Sequence, residues 1–304
     1  MSSTPRDLLP WVVAGQAGAL DLLSELIEAH RRRGPVLTLE SPEGAARGAS
    51  SVLLIEDSKN VPGLFLFDDG RLVPVGAVPD DRTRLKRFAR AAASLLDRAH
   101  TATCAAVLSS REKRALAAAG RAGEALDGEC QLWTADRIMR PDLCNALKLG
   151  LSAAVYFGHG SPQGWAAYSG LTARHFPQGG DPAAAIFSFC CDVTRRPAEG
   201  FSFAEDLVLG GHCGAFLGAG LKTMHNWNVE FGVRVCREMR PGLTIGDVLL
   251  NSQPRIAIRG SYRLIGDPAV PISALPDAAA RAGAVFAPAP DAELPPLPPE
   301  LWPV

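Results

Sequence analysis

Short apolar runs alternate with stretches of helical periodicity through the second two-thirds of the chain, and that alternation restricts the fold more than any other feature. Ala105–Leu108, Ala153–Phe157, Ala184–Phe189 and Gly214–Leu217 are predominantly apolar and of strand length. Between and after them, Arg111–Leu126, Pro141–Leu149, Phe203–Leu209, Val229–Glu238 and Ile245–Ser252 read as helices. Strands apolar on both faces and joined by helices form parallel sheets covered on both sides. The expected fold class is α/β, a three-layer α/β/α sandwich with a mostly parallel central sheet. In such sheets the functional site gathers at the carboxyl ends of the strands.

The first hundred residues are less regular. Residues 15–33 repeat Leu and Ile at helical spacing and stop at Gly34-Pro35, and residues 80–99 read as an amphipathic helix. Between them lie three apolar runs, Val52–Ile55, Leu64–Phe67 and Leu72–Val75, the last two separated by the hairpin signal Asp68-Asp69-Gly70. Residues 1–100 are expected to supply extra strands of an enlarged sheet or a small subdomain, and 101–275 the main domain. Eight of the 24 prolines fall in 276–304, so that tail is expected to run extended along the surface.

Basic and acidic residues nearly balance, 31 against 32, for a net charge of −1. That balance argues against a nucleic-acid partner or an anionic membrane surface. No segment approaches the roughly 20 apolar residues that cross a bilayer, and the N-terminus lacks a basic region feeding an apolar core. Seven cysteines without framework spacing read as free thiols in a reducing compartment, so the expectation is a cytoplasmic, bacterial-type protein.

Two strand endings carry the chemistry. Val155-Tyr156-Phe157 runs into Gly158-His159-Gly160, and Ile186-Phe187-Ser188-Phe189 runs into Cys190-Cys191-Asp192. His159 and Cys191 are 32 residues apart, room for one crossover between neighbouring parallel strands, which would bring both endings to one edge of the sheet. A thiol is a poor nucleophile until an imidazole or another positive environment favours its thiolate, and a histidine can protonate a leaving amine at neutral pH. The amides of Gly160 and Cys191 are the expected oxyanion donors. From spacing alone two other readings stay open: His159 as a turn residue, and the cysteine pair as core.

The residues around these endings resemble gingipain-type peptidases within the caspase-like group. Asp142–Trp165, DLCNALKLGLSAAVYFGHGSPQGW, is similar to the family's histidine block, and Ala185–Cys191, AIFSFCC, to its cysteine block. Phe203-Ala204-Glu205-Asp206-Leu207, Gly214–Trp227 and Arg263-Leu264-Ile265-Gly266-Asp267-Pro268 follow in the family's order, the last as a "GDP" block preceding a final strand. The resemblance implies a caspase-like sandwich, a peptidase domain over 101–275, and peptide hydrolysis through an acyl-enzyme. By it Cys191 takes the nucleophile position, with Cys190 in the preceding small-residue position and Trp227 at the pocket for the residue before the cleaved bond.

The chain departs from the pattern after the nucleophile, where Asp192-Val193-Thr194-Arg195-Arg196 replaces Asn or Thr followed by Gly. Asp136, Asp142 and Asp192 are candidates to orient His159 or to read a basic substrate residue. No metal or other cofactor is expected: the spacing of His175, His212-Cys213 and His225 fits no common zinc pattern, and no acidic cluster argues for the calcium of some relatives. The expected partner is a protein or peptide substrate, including a dedicated effector protein. The rival readings are an inactive caspase-like scaffold and a thiol acyltransferase.

Overall fold

The apolar runs become the centre of one mixed sheet in the computed structural model, which describes residues 9–61, 63–98 and 103–285. In chain order the strands are β1 (Trp11–Ala14), β2 (Val36–Leu39), β3 (Ser51–Ile55), β4 (Phe65–Asp68), β5 (Arg71–Val78), β6 (Cys104–Ser109), β7 (Glu129–Thr134) and β8 (Ala153–Phe157). The short strands β9 (Gly160–Ser161), β10 (Gly164–Trp165) and β11 (Leu171–Thr172) make a separate small antiparallel sheet. β12 (Ala183–Phe189), β13 (Cys213–Ala219) and β14 (Tyr262–Gly266) return to the main one.

Its order is β2-β1-β3-β5-β14-β13-β12-β8-β6-β7, with β4 hairpinned onto β5. Each half is internally parallel, and the halves meet antiparallel at β13 and β14. Carboxyl ends of the two halves therefore lie at opposite edges, and a site at the ends of β8 and β12 belongs to the second half alone. Residues 11–78 contribute five strands to this same sheet.

β6, β8, β12 and β13 are buried along their whole length. Helices Lys113–Ala125 and His225–Glu238 pack on each other over one face, and Leu85–Leu96, Phe203–Leu209 and Ser24–Arg31 cover the other. Covering both faces is what permits strands with no polar side, and it matches the sandwich expected from the alternation.

Four expectations change. β1 and β2 were not anticipated, nor was the edge strand β7, which is exposed or partly exposed over Glu129–Leu132 and buried at Trp133 and Thr134, with no clean alternation. The helix expected over 15–33 is broken into short turns before Ser24–Arg31. Among the described residues no strand follows the "GDP" block: β14 runs up to Gly266 and lies antiparallel to β13. Finally, Ala278–Ala284 is helical with Ala278 and Ala282 buried, so the tail is not extended from Pro276; residues 286–304 lie outside the described residues.

Asp267 shows why the block ends as it does. Gly266 has φ 102°, and a Cβ there would meet the Gly214 carbonyl oxygen at 2.3 Å, so only glycine lets β14 leave the sheet at this point. The chain then delivers Asp267 into the interior, with no exposed surface, where its carboxylate accepts from Trp11 Nε1 at 3.0 Å and meets His30 Nε2 at 2.7 Å. Trp11 and His30 stack at 3.8 Å. One carboxylate thus ties β1, the helix Ser24–Arg31 and the end of β14 together. Asp267→Ala is expected to lower stability by about 3–5 kcal/mol, because it strands two buried donors. Urea unfolding checks this, and a loss below about 1 kcal/mol would refute the role assigned to Asp267.

Candidate functional site

Strand register creates the site. Phe157 on β8 is paired with Phe189 on β12 and with Ser109 on β6. Each strand ends at that level, so the next residues of all three emerge together at one edge: Ser110-Arg111-Glu112, Gly158-His159 and Cys190-Cys191. Ser188 is paired with Gly218, which brings the residues after β13, Gly220–Thr223, alongside.

The two cysteines have opposite surroundings. Cys190 has no exposed surface, its Sγ lies 3.2 Å from Ser188 Oγ, and burial pushes its thiol up to about 12. Cys191 is partly exposed at the edge, and its Sγ accepts from the backbone N–H of Thr223 at 3.3 Å. Thr223 also places its carbonyl oxygen and Oγ1 at 3.7 Å from that sulfur.

His159 is the most open group of the site, its side chain 70% exposed. Its loop is fixed from beneath by the His159 carbonyl, which accepts from Tyr156 Oη at 3.0 Å and from the Ala166 N–H at 3.0 Å. Tyr156 stacks on Trp165 at 4.3 Å, and Trp165 Nε1 donates to Ser188 Oγ at 2.8 Å, so the support of the histidine loop reaches across to β12. Gly158 and Gly160 are obligatory here. A Cβ on Gly158 would meet Tyr156 Oη at 2.3 Å, and one on Gly160 would meet Cys190 Sγ at 2.4 Å and the Cys191 carbonyl oxygen at 2.7 Å. Trp165 is accordingly a buried support of this loop.

The carboxylate beside His159 is Glu112, its oxygens 3.1 Å from Nε2. Sequence reading placed Glu112 inside a helix, whereas the helix begins at Lys113 and Glu112 is its extended N-cap, with no side-chain capping bond. Its carboxylate is thereby free to reach the imidazole. Of the aspartates considered for that place, Asp136 is held low by Thr134, and Asp142 sits in the first turn of Arg140–Ala146. Asp192 pairs with Arg195 Nε at 3.4 Å. His159 and Glu112 line an open cleft of about 360 Å³ with Ser110, Ala167 and Tyr168.

The segment after Cys191 is held against its own strain. Asp192 has φ 62°, a left-handed conformation that aspartate tolerates better than most residues. The Asp192 N–H donates to the Leu221 carbonyl at 3.4 Å and the Thr194 N–H to that of Ala219 at 3.1 Å. Arg196 then reaches the fully buried Glu205, with Nε 3.0 Å from its oxygens, and Asp57 at 2.7 Å. Glu205 also accepts from Ser202 N–H at 2.9 Å and from Ser58 Oγ at 2.8 Å. Sequence reading missed this anchor, although Ser202-Phe203-Ala204-Glu205 carries the capping-box signal that marks it. Trp227 is half-buried against the core near the start of His225–Glu238.

No curated protein sequence matches the chain significantly. Among solved structures, the chain is similar to the Porphyromonas gingivalis RgpB pro- and mature-domain complex, at 14% identity and a TM-score of 0.66, covering 88% of this chain and 80% of that one. It is equally similar to the Arg-specific cysteine proteinase gingipain R, at 14% identity and a TM-score of 0.66, over 90% and 80% of the two chains. A third structure, described only as a protease, has a TM-score of 0.63 at 11% identity over 90% and 80%. These likenesses establish the shared fold. The sequence model of Peptidase family C25 matches residues 40–273, most of the chain and every element of the site just described. The chain belongs to peptidase family C25, the gingipain family of cysteine peptidases.

Proposed function

We propose that the chain is an endopeptidase in which Cys191 attacks the peptide carbonyl and His159 manages the proton. The observation that carries this reading is the common level at which β6, β8 and β12 end, delivering carboxylate, imidazole and thiol to one edge. Glu112 accepts from Nε2 of His159, which sets the tautomer and leaves Nδ1 as the nitrogen that exchanges the catalytic proton. Cys191 passes its thiol proton to His159 as Sγ forms a bond to the carbonyl carbon, and the amides of Gly160 and Cys191 stabilise the oxyanion. His159 gives its proton to the leaving amine. It then takes one from the water that attacks the thioester and returns it to the departing sulfur, which restores the thiol. Trp227 and Asp192 belong to the substrate side of this reading, Asp192 by shaping the loop beside the nucleophile.

All seven cysteines are free, which supports a reducing, cytoplasmic setting. In that setting constitutive proteolysis is hazardous, which supports regulated action on a dedicated protein substrate. A second reading, a binding scaffold with the same cleft, draws on the departure from the family pattern at Asp192-Val193-Thr194.

A peptidyl chloromethyl ketone separates the two. Mass spectrometry is expected to place a single adduct on Cys191, formed at least ~100-fold more slowly in His159→Ala and about tenfold more slowly in Glu112→Gln. Equal alkylation of several cysteines, indifferent to His159, would favour the scaffold. Gly160→Ala is expected to cut kcat/KM at least tenfold, since its Cβ must displace Cys190 or the Cys191 carbonyl. Unchanged kinetics in that variant would show that the loop is not held as described.

A further inference from the structure

We infer that the groove between helices Lys113–Ala125 and His225–Glu238 holds an acidic segment of the substrate; this rests on the peptidase reading and supplies its substrate class. The groove encloses about 390 Å³, with Arg114, Ala118 and Arg121 on one wall and His225, Val229 and Glu230 on the other. Both walls start at the catalytic edge. The first helix begins directly after Glu112, the partner of His159, and the second begins two residues after Thr223, the partner of Cys191. A chain lying across the thiol can therefore enter the groove at its N-terminal mouth.

The charge on these walls is one-sided. Arg114 and Arg121 are exposed, and no ion pair among the described residues engages either of them. The single acidic group of the groove, Glu230, is already matched by two guanidinium groups, Arg234 and Arg255, each at 2.8 Å. Two free cations over a floor of alanine and valine suit carboxylates carried on an otherwise apolar backbone. Seven residues of helix separate the arginines by about 10 Å, the reach of roughly three residues of extended peptide. In the segment leading into the second helix, Leu221 and Met224 are both 55% exposed, which suits an apolar residue next to the acidic stretch.

Binding is measured on the full chain carrying Cys191→Ala, with fluorescein-labelled octapeptide pools that have either two glutamates or two lysines at positions three apart. Fluorescence anisotropy is expected to show the glutamate pool bound roughly tenfold more tightly, with an affinity that falls as salt rises. Arg114→Glu/Arg121→Glu is expected to abolish or invert that preference. Both positions are exposed, so an unchanged melting temperature verifies the fold of the variant. Charge-blind binding, preference for lysine, absence of binding, or a preference that survives the double reversal overturns the inference. Alkylation of the wild-type chain distinguishes the two failures: normal His159-dependent labelling of Cys191 beside charge-blind binding removes only the groove assignment, whereas loss of that labelling removes the peptidase reading beneath it.

Discussion

Pairing of Phe157 with Phe189 and with Ser109 is the constraint on which the rest of the structure depends. A one-residue slip of β12 against β8 would turn every side chain of the strand to the other face. It would bury the edge thiol and expose Cys190. The register is held by an aromatic cluster behind it: Phe157 stacks on Phe189 at 5.3 Å, Phe189 meets Phe231 edge-on at 5.5 Å, and Phe231 meets Tyr262 at 5.3 Å. Each such pair adds about 0.5–1.5 kcal/mol beyond simple burial. Asn228 completes the lock, accepting from Tyr262 Oη at 2.9 Å and donating to the Phe189 carbonyl at 3.4 Å. The helix that walls the proposed acidic groove thus also fixes the end of the nucleophile strand.

Beyond the strands, the site is a set of loops that cannot relax independently. Left-handed Asp192 costs on the order of 1 kcal/mol or more, and its position is sustained by backbone bonds on both sides and by the Arg196–Glu205 pair farther along. Glu205 is fully buried, yet its partners satisfy both oxygens, the condition under which a buried carboxylate is tolerated. On the histidine side, the Tyr156–Trp165 stack and the small β9–β11 sheet do the same with neutral groups. The imidazole itself stays open to solvent.

Much of this is legible in the sequence alone. β6, β8, β12 and β13 are continuous apolar runs with sharp ends, and buried parallel strands have that pattern because neither face needs polar residues. The placement of His159 and Cys191 at neighbouring strand ends followed from the same runs. Glu112 was not legible, because its role depends on where a helix starts and on which strand neighbours β8, and a shift of two residues in a helix boundary hid it. β1 and β2 are four residues each and β7 mixes polar and apolar residues without alternation, so length and pattern gave little signal. The aspartate of the "GDP" block was visible as a motif, but its bonds to Trp11 and His30 span more than two hundred residues and exist only in the folded chain.

In the proposed reading the sheet carries the chemistry and the helices the selectivity, and the two meet at Glu112 and Thr223. A crystal structure of the chain inactivated by a peptidyl chloromethyl ketone tests that central claim most directly. The account predicts a covalent bond at Cys191 Sγ, the His159 imidazole still held by Glu112 and turned toward the adduct, and the former carbonyl oxygen facing the amides of Gly160 and Cys191. A bond at Cys190, or an adduct at Cys191 with His159 and Gly160 both away from it, would contradict the account.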